Sequence, residues 1–171
     1  DGSTGSLCGN GARCAILFAH NSGRLKNGKA KFISNDNQYS GEVLSDGSIK
    51  FNLNPPKKIK YNFKIKAFGQ MITSHFADTG SPHVVIKVSD VLSNHLLPDS
   101  GFKTVNDIPV LQIGREIRYG TDFKPDGTNV NFIEVIDNII HIRTYERGVE
   151  DETLACGTGS VAAAIIACVT D

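Results

Sequence analysis

The sequence predicts an α+β fold, and two observations carry that prediction. Short alternating or β-branched segments that are typical of strands outnumber the segments with a helical pattern. The second observation is an internal repeat, in which residues 8–19 (CGNGARCAILFA) resemble residues 156–167 (CGTGSVAAAIIA). Similar units built around the two copies would form a pair of pseudo-symmetric lobes, which we place at residues 1–75 and 76–171.

The two copies of the repeat are predicted as helices. Each begins with a Cys-Gly-polar-Gly turn, and a run rich in small and apolar residues follows. A glycine turn before such a run predicts a helix that packs closely on its neighbours. We therefore expect Cys8 and Cys156 to lie at the N-termini of buried helices. Cys14 and Cys168 lie inside the apolar runs and are predicted to be packed core thiols.

The segments of regular structure between the two copies are predicted mostly as strands. In chain order these strands cover residues 31–33, 39–44, 49–53, 64–68, 83–88, 130–136 and 139–145. The first three form a meander with a turn at residues 45–48, and Asp137-Asn138 predicts a hairpin turn between the last two. A short helix is expected over residues 91–97. An amphipathic helix is expected over 106–118, with Asn106 or Asp107 as its N-cap.

Composition excludes several classes of protein. The chain has 18 Lys+Arg and 18 Asp+Glu, and this zero net charge argues against a nucleic-acid partner or a basic membrane-surface protein. No apolar run approaches the ~20 residues that span a bilayer, and no export signal is visible, so we expect a cytoplasmic protein. The four cysteines lack CxxC spacing and the five histidines are scattered, so we expect no metal site and reduced thiols.

The predicted position of Cys8 and Cys156 at helix N-termini suggests that their thiols take part in acid–base catalysis. A helix N-terminus carries partial positive charge and unpaired N–H groups, which stabilise a thiolate and can hold a carboxylate. Two such sites suit a two-base racemase or epimerase, in which a thiolate removes a proton from one face of a carbon and a thiol protonates the other. A cysteine hydrolase is the alternative, but it needs one thiolate and leaves the second cysteine turn unexplained.

Four motifs resemble the diaminopimelate epimerase family, in the order of that family and over the whole chain. They are DGS…CGNGARC at residues 1–14, SPH at 81–83, TNVNF at 128–132 and YERG…ETLACGTG at 145–159. The resemblance implies two lobes, each a mixed sheet wrapped around a central helix. It implies interconversion of LL- and meso-diaminopimelate, for lysine and peptidoglycan precursors, without pyridoxal phosphate, a metal or another cofactor.

The resemblance also implies roles for individual residues. Cys8 and Cys156 would be the acid/base pair, and the turns containing Gly9, Asn10, Gly157 and Thr158 would bind the reacting carboxylate. Asn129 and Arg147 would hold the distal end of the substrate, while Glu146 and His83 would lie beside the thiols. An arginine suits this substrate because its guanidinium can bind a carboxylate in bidentate fashion.

This sequence departs from the family pattern in three places. Ser81 stands where the family commonly has an asparagine, and the acidic loop at 149–151 is one residue longer than the commoner spacing. The family also continues beyond both ends of this chain, so we expect the chain alone to lack normal activity. Two kinds of alternative stay open. The chain could be an inactive portion or a binding module, or it could be another isomerase of the same fold, such as a proline racemase-like or phenazine-pathway enzyme. For its assembly, we consider one possibility, a homodimer.

Overall fold

The computed structural model describes residues 7–170, and the chain divides into two compact units that meet in sequence at Pro55 and Pro56. Both helices and sheets are present, so the α+β class is confirmed. Among residues 7–170, no helix has the length and apolar content needed to cross a bilayer.

The first unit is one helix on a three-stranded meander. Its elements are α1 (Gly9–Asn21), β1 (Lys29–Ser34), β2 (Asn37–Val43) and β3 (Ile49–Asn52), with β1 and β3 each antiparallel to β2. Asp46 shapes the β2–β3 turn by accepting hydrogen bonds from the Ser48 amide and hydroxyl at 2.9 and 2.6 Å. The predicted meander and the predicted first helix are confirmed.

Helix α1 is less buried than the sequence suggested. Its buried residues are Gly9, Ala12 and Ile16, which lie along one stripe, whereas Phe18 is 66% exposed and Cys14 is exposed. The prediction of Cys14 as a core thiol was wrong, because three strands cover only one side of the helix and Cys14 lies off the buried stripe.

The second unit is a six-stranded mixed sheet with a helix on each face. Its strands are β4 (Ile59–Ala67), β5 (Gln70–Asp78), β6 (Pro82–Lys87), β7 (Asn129–Ile136), β8 (Ile139–Glu146) and β9 (Asp151–Thr153). They lie in chain order, with β6 and β7 parallel and every other neighbouring pair antiparallel. Helix α2 spans Val110–Arg118, and helix α3 spans Gly157–Thr170.

Strand alternation divides the interior of this unit into two cores. Val84 of β6 and Phe132 of β7 belong to the core that contains α2, whereas Val85 and Ile133 belong to the core that contains α3. His83 and Asn131 lie two residues before Val85 and Ile133, respectively, so their side chains are on the same face of the sheet as that pair. Polar side chains at His83 and Asn131 are therefore directed to the α3 side of the sheet, where the helix begins.

Several predicted elements need correction. Residues 91–97 form no helix, because Leu92 bridges Gly101 and the Ser93 amide donates to Ser100 O, which holds this segment as a loop. Helix α2 begins at Val110 without a side-chain cap, and Asp107 instead accepts a hydrogen bond from Thr104 Oγ1 at 2.9 Å. Pro109 explains the later start, because a proline disfavours helical geometry in the residue before it.

The remaining differences concern β5, β9 and α3. Neither β5 nor β9 was predicted. The division into lobes at residues 1–75 and 76–171 stays a prediction. Cys168 is exposed rather than a core thiol, since the buried residues of α3 (Ala162, Ala163, Ile166 and Ala167 among them) occupy a stripe that leaves it out.

Candidate active site

Cys8 forms the N-cap of α1, as the sequence predicted. Its backbone is extended (φ −106°, ψ 110°), and its Sγ accepts a hydrogen bond from the Gly11 amide at 3.3 Å. The sulfur thus takes the position that a serine or aspartate oxygen usually takes at a helix start. An N–H that donates to sulfur stabilises a thiolate more than a neutral thiol, because hydrogen bonds to ionised groups are stronger.

Cys156 directly precedes the first residue of α3. Its carbonyl accepts hydrogen bonds from the amide and the hydroxyl of Ser160 at 2.9 and 3.1 Å, which anchors the first turn of the helix. Its Sγ lies 3.6 Å from Thr158 Oγ1. Cys156 is partly exposed, so its sulfur combines solvent access with a hydroxyl partner in the same helix turn.

Thr158 connects this cysteine to a buried polar group. Its hydroxyl lies 2.9 Å from His83 Nε2 and 3.1 Å from Ser81 Oγ, and the Ser81 hydroxyl is itself 2.9 Å from His83 Nε2. All three residues are buried. Thr79 adds a further connection by donating from Oγ1 to the Thr158 carbonyl at 2.9 Å. The β5–β6 turn is therefore joined to the start of α3 through Thr158, two residues after Cys156.

His83 is neutral at physiological pH. Burial lowers the pKa of His83 from 6.5 to about 3, the positive charge of Arg147 adds to this effect, and a hydrogen bond with Asn131 opposes it. A neutral imidazole has one N–H donor and one unprotonated acceptor nitrogen. His83 therefore offers one hydrogen to its partners and holds no charge beside Cys156.

Besides Thr79, two buried polar residues of this site were not predicted, Asn131 and Thr144. Asn131 Nδ2 lies 3.2 Å from His83 Nδ1, and Thr144 Oγ1 donates to Asn131 Oδ1 at 3.0 Å. The sequence contains an indication for Asn131, because it stands between Val130 and Phe132 in a mostly apolar strand. A polar residue in such a strand needs buried hydrogen-bond partners.

Asn129, Glu146 and Arg147 form a second group at the ends of β7 and β8. Asn129 donates from Nδ2 to the Pro82 carbonyl at 2.8 Å and accepts from the Arg147 amide at 2.9 Å. Arg147 Nη1 donates to the carbonyl of Asp126 at 3.2 Å, and Glu146 Oε2 accepts from Thr153 Oγ1 at 2.6 Å. Asn129 thus fixes the backbone from which the Arg147 side chain projects, and substrate contacts by this group stay predictions.

The longer acidic loop after Arg147 is fastened to α2. Glu150 Oε1 lies 2.9 Å from Arg118 Nη2 and accepts from the Gly148 amide at 3.0 Å. Glu150 adopts a positive φ of 61°, which closes this turn before β9 begins. The loop that follows Arg147 is therefore held by an ion pair and an internal hydrogen bond.

Cys8 belongs to the first unit and Cys156 to the second, so the expected convergence of the two thiols stays a prediction. Gly9 and Asn10 follow Cys8 in the first turn of α1, and Gly157 and Thr158 follow Cys156 in α3. Within residues 7–170, no three His, Cys, Asp or Glu side chains cluster in a way that could hold a metal ion.

Replacing Gly159 with alanine is expected to destabilise the second unit by about 1–3 kcal/mol, as overpacking of a filled site does. A Cβ at this position would lie 2.5 Å from Asn131 Oδ1 and 3.3 Å from both Cβ and Sγ of Cys156. The equivalent Gly11→Ala change is the matched control, because a Cβ there meets Cys8 only at 3.6 Å. Urea unfolding of both variants tests this, and an equal effect of the two changes would contradict it.

Comparisons with known proteins identify the family of this chain. The model of the family described as "Diaminopimelate epimerase" matches residues 75–171. A diaminopimelate epimerase of Chlorobaculum tepidum is 40% identical over 168 residues, which cover 97% of this chain and 58% of that protein. One of Aquifex aeolicus is also 40% identical over 168 residues, covering 97% of this chain and 54% of that protein. The chain therefore spans somewhat more than half the length of these relatives.

A solved structure shares the fold. The Bacillus anthracis phenazine biosynthesis protein of the PhzF family has a TM-score of 0.61 over 96% of this chain and 58% of its own, at 15% identity. The family match covers more than half of the chain, and it includes Cys156 together with the polar group around it. The chain belongs to the diaminopimelate epimerase family.

Proposed function

We propose that this chain carries both acid/base cysteines of an epimerase that interconverts LL- and meso-diaminopimelate in the cytoplasm. The observation that carries the proposal is the repeated placement of a cysteine immediately before a helix, at Cys8 and at Cys156. At Cys8 the first turn of the helix donates an N–H to the sulfur itself. This substrate is used in the lysine and peptidoglycan pathways, and membership of the family supports a role for the chain in them.

The proposed reaction exchanges one hydrogen at the α-carbon. The thiolate of one cysteine takes the α-hydrogen as a proton, and the electron pair of the broken C–H bond remains on the substrate, where it is delocalised into the carboxylate. The thiol of the other cysteine then gives its proton to the opposite face, and the two sulfurs have exchanged protonation states. Neither step needs an oxidant, a metal or an organic cofactor.

The first turns of α1 and α3 are proposed to bind the reacting carboxylate. Backbone N–H groups at a helix start have no partner within the helix, and the helix dipole favours a negative charge there. Gly9 and Gly157 leave the backbone open to such a ligand because they carry no side chain. The same groups would stabilise the charge that develops on the carboxylate as the α-proton leaves.

Arg147 is proposed to distinguish the substrate. Diaminopimelate has a second carboxylate and ammonium at its distal end, whereas proline has none. The guanidinium of Arg147 suits a carboxylate, and Glu146 suits an ammonium group. Asn129 supports Arg147 and Glu146 in this role, because its Oδ1 accepts a hydrogen bond from the Arg147 amide at 2.9 Å.

The test is α-proton exchange in deuterium oxide with meso-diaminopimelate and with proline. We would assay the chain alone and a hybrid, in which the chain replaces the matching segment of the Chlorobaculum tepidum relative, so that both cysteine turns come from this chain. The hybrid is expected to exchange the α-proton of diaminopimelate and not that of proline. Exchange with proline alone, from a hybrid that circular dichroism shows to be folded, would overturn the proposal.

A further inference from the structure

A row of three polar side chains crosses the sheet beneath the start of α3. His83 of β6, Asn131 of β7 and Thr144 of β8 lie on neighbouring strands, and Asn131 stands directly opposite Thr144 in the antiparallel register. The exposed fractions of these residues are 0%, 0% and 4%. Because these residues are buried, their hydrogen bonds must be made with other groups of the protein.

The surroundings of Asn131 fix which way its amide points. Nδ2 lies 2.8 Å from the carbonyl oxygen of Val84, which can only accept a hydrogen bond. A flipped amide would place two acceptor oxygens against each other at that distance. Thr144 Oγ1 lies 3.0 Å from Oδ1 on the other side, where its hydroxyl donates. The Asn131 amide therefore has one satisfactory orientation.

This orientation determines the tautomer of His83. One hydrogen of Asn131 Nδ2 is used on Val84, and the other is directed at His83 Nδ1, 3.2 Å away. A nitrogen that faces an N–H donor must be the unprotonated one, so the single proton of the neutral ring lies on Nε2. The low pKa of His83, about 3, agrees with a ring that keeps only this proton.

The Nε2 proton then sets the direction of the hydroxyl groups above it. Nε2–H faces Ser81 Oγ and Thr158 Oγ1, both at 2.9 Å. A hydroxyl that accepts from Nε2–H keeps its own hydrogen for another acceptor. Ser81 Oγ and Thr158 Oγ1 lie 3.1 Å apart, so the Ser81 hydroxyl can donate to Thr158 Oγ1. The Thr158 hydrogen is then left for Cys156 Sγ, 3.6 Å away. With the proton on Nδ1 instead, Nε2 would accept and would compete with the sulfur for the hydroxyl hydrogen.

We propose that Asn131 is a positioning residue, which fixes the Nε2–H tautomer of His83 and thereby directs the Thr158 hydroxyl hydrogen at the Cys156 sulfur. The hydrogen bond stabilises the thiolate of Cys156, so this inference rests on the proposed acid/base role of that residue. Asn131 acts on the sulfur through two other side chains, His83 and Thr158. Asn131 therefore determines which nitrogen of His83 carries the proton and where the Thr158 hydroxyl hydrogen points, and it does not determine the shape of the site.

The first experiment is nitrogen-15 NMR of the histidine rings in the 171-residue chain at pH 7. His83 is expected to show a protonated Nε2 and an unprotonated Nδ1, and the Nδ1–H tautomer in the parent chain would overturn the proposal. Asn131→Asp is expected to move the proton to Nδ1, because a carboxylate can only accept. Asn131→Ala removes the donor without adding charge, and it should yield a mixture of tautomers if the aspartate variant fails to fold.

Thr144→Val is the matched control, since it removes a neighbour of Asn131 while Val84 still orients the amide. It should keep the Nε2–H tautomer. A folded Asn131→Ala variant that keeps this tautomer completely would contradict the proposal. No substrate is present in these measurements, so their outcome is separate from that of the epimerase assay.

A second readout follows the sulfur itself. Alkylation of Cys156 by iodoacetamide at pH 7 is expected to slow about three- to tenfold in Asn131→Ala, the effect of losing one hydrogen bond to the thiolate. Cys168 is exposed near the other end of α3 and serves as an internal control whose rate should not change. Equal rates at Cys156 in the parent chain and in the variant would overturn the link from Asn131 to the sulfur.

Discussion

Replacing Cys156 with serine in the hybrid is expected to lower α-proton exchange from diaminopimelate by at least about 10²-fold. General acid–base catalysis contributes roughly 10²–10⁴-fold to a rate, and a serine hydroxyl at this position is almost never ionised at neutral pH. Cys8→Ser should have an effect of similar size, because each thiol acts as base in one direction and as acid in the other. The measurement is deuterium incorporation at the α-carbon, followed by mass spectrometry.

The chain contains a matched control for each change. Cys168→Ser alters an exposed thiol of α3 and Cys14→Ser alters an exposed thiol of α1, so neither should change the exchange rate by more than about twofold. A Cys156→Ser variant with full turnover would contradict the two-thiol mechanism and would favour a reaction that uses Cys8 alone. An equal loss in the Cys168 variant would instead indicate damage to the helix.

The starts of α1 and α3 could be predicted from sequence because they depend on local chemistry. A cysteine followed by Gly-polar-Gly and a long small-residue run defines a helix start within a few positions, and both helices begin one residue after the cysteine. The Asp137-Asn138 turn was equally local, since both residues adopt the positive φ that such a hairpin requires. These features depend little on what the chain packs against.

The features that were missed depend on tertiary packing. Helix α3 has so few polar residues that its sequence does not reveal which side is buried, and Cys168 was therefore misplaced. Strand β5 carries Ser74 and His75 at buried positions, which obscures the alternation of apolar and polar residues. Asn131 could be noticed as a polar residue in an apolar strand, but its partners His83 and Thr144 come from other strands and become visible only in the folded sheet.

The pH dependence of stability should reveal the neutral state of His83. The pKa of His83 is 6.5 in the unfolded chain and about 3 in the folded one, so between these values the unfolded state binds a proton that the folded state does not. The free energy of unfolding must therefore fall as the pH decreases from 6.5 towards 3, by about 1.4 kcal/mol per pH unit. Well above pH 6.5 both states are neutral and this contribution is constant.

Urea unfolding at pH 7, 6 and 5 tests this in the parent chain, in His83→Gln and in His141→Gln. Glutamine cannot be protonated, so the parent should lose about 2 kcal/mol relative to His83→Gln between pH 7 and 5. His141 is exposed on β8, and its variant should follow the parent at each pH. Parallel curves for the parent and His83→Gln would show that the imidazole is not held neutral. In that case Nδ1 could carry a proton, and the direction inferred for the hydrogen bonds that lead to Cys156 would lose its basis.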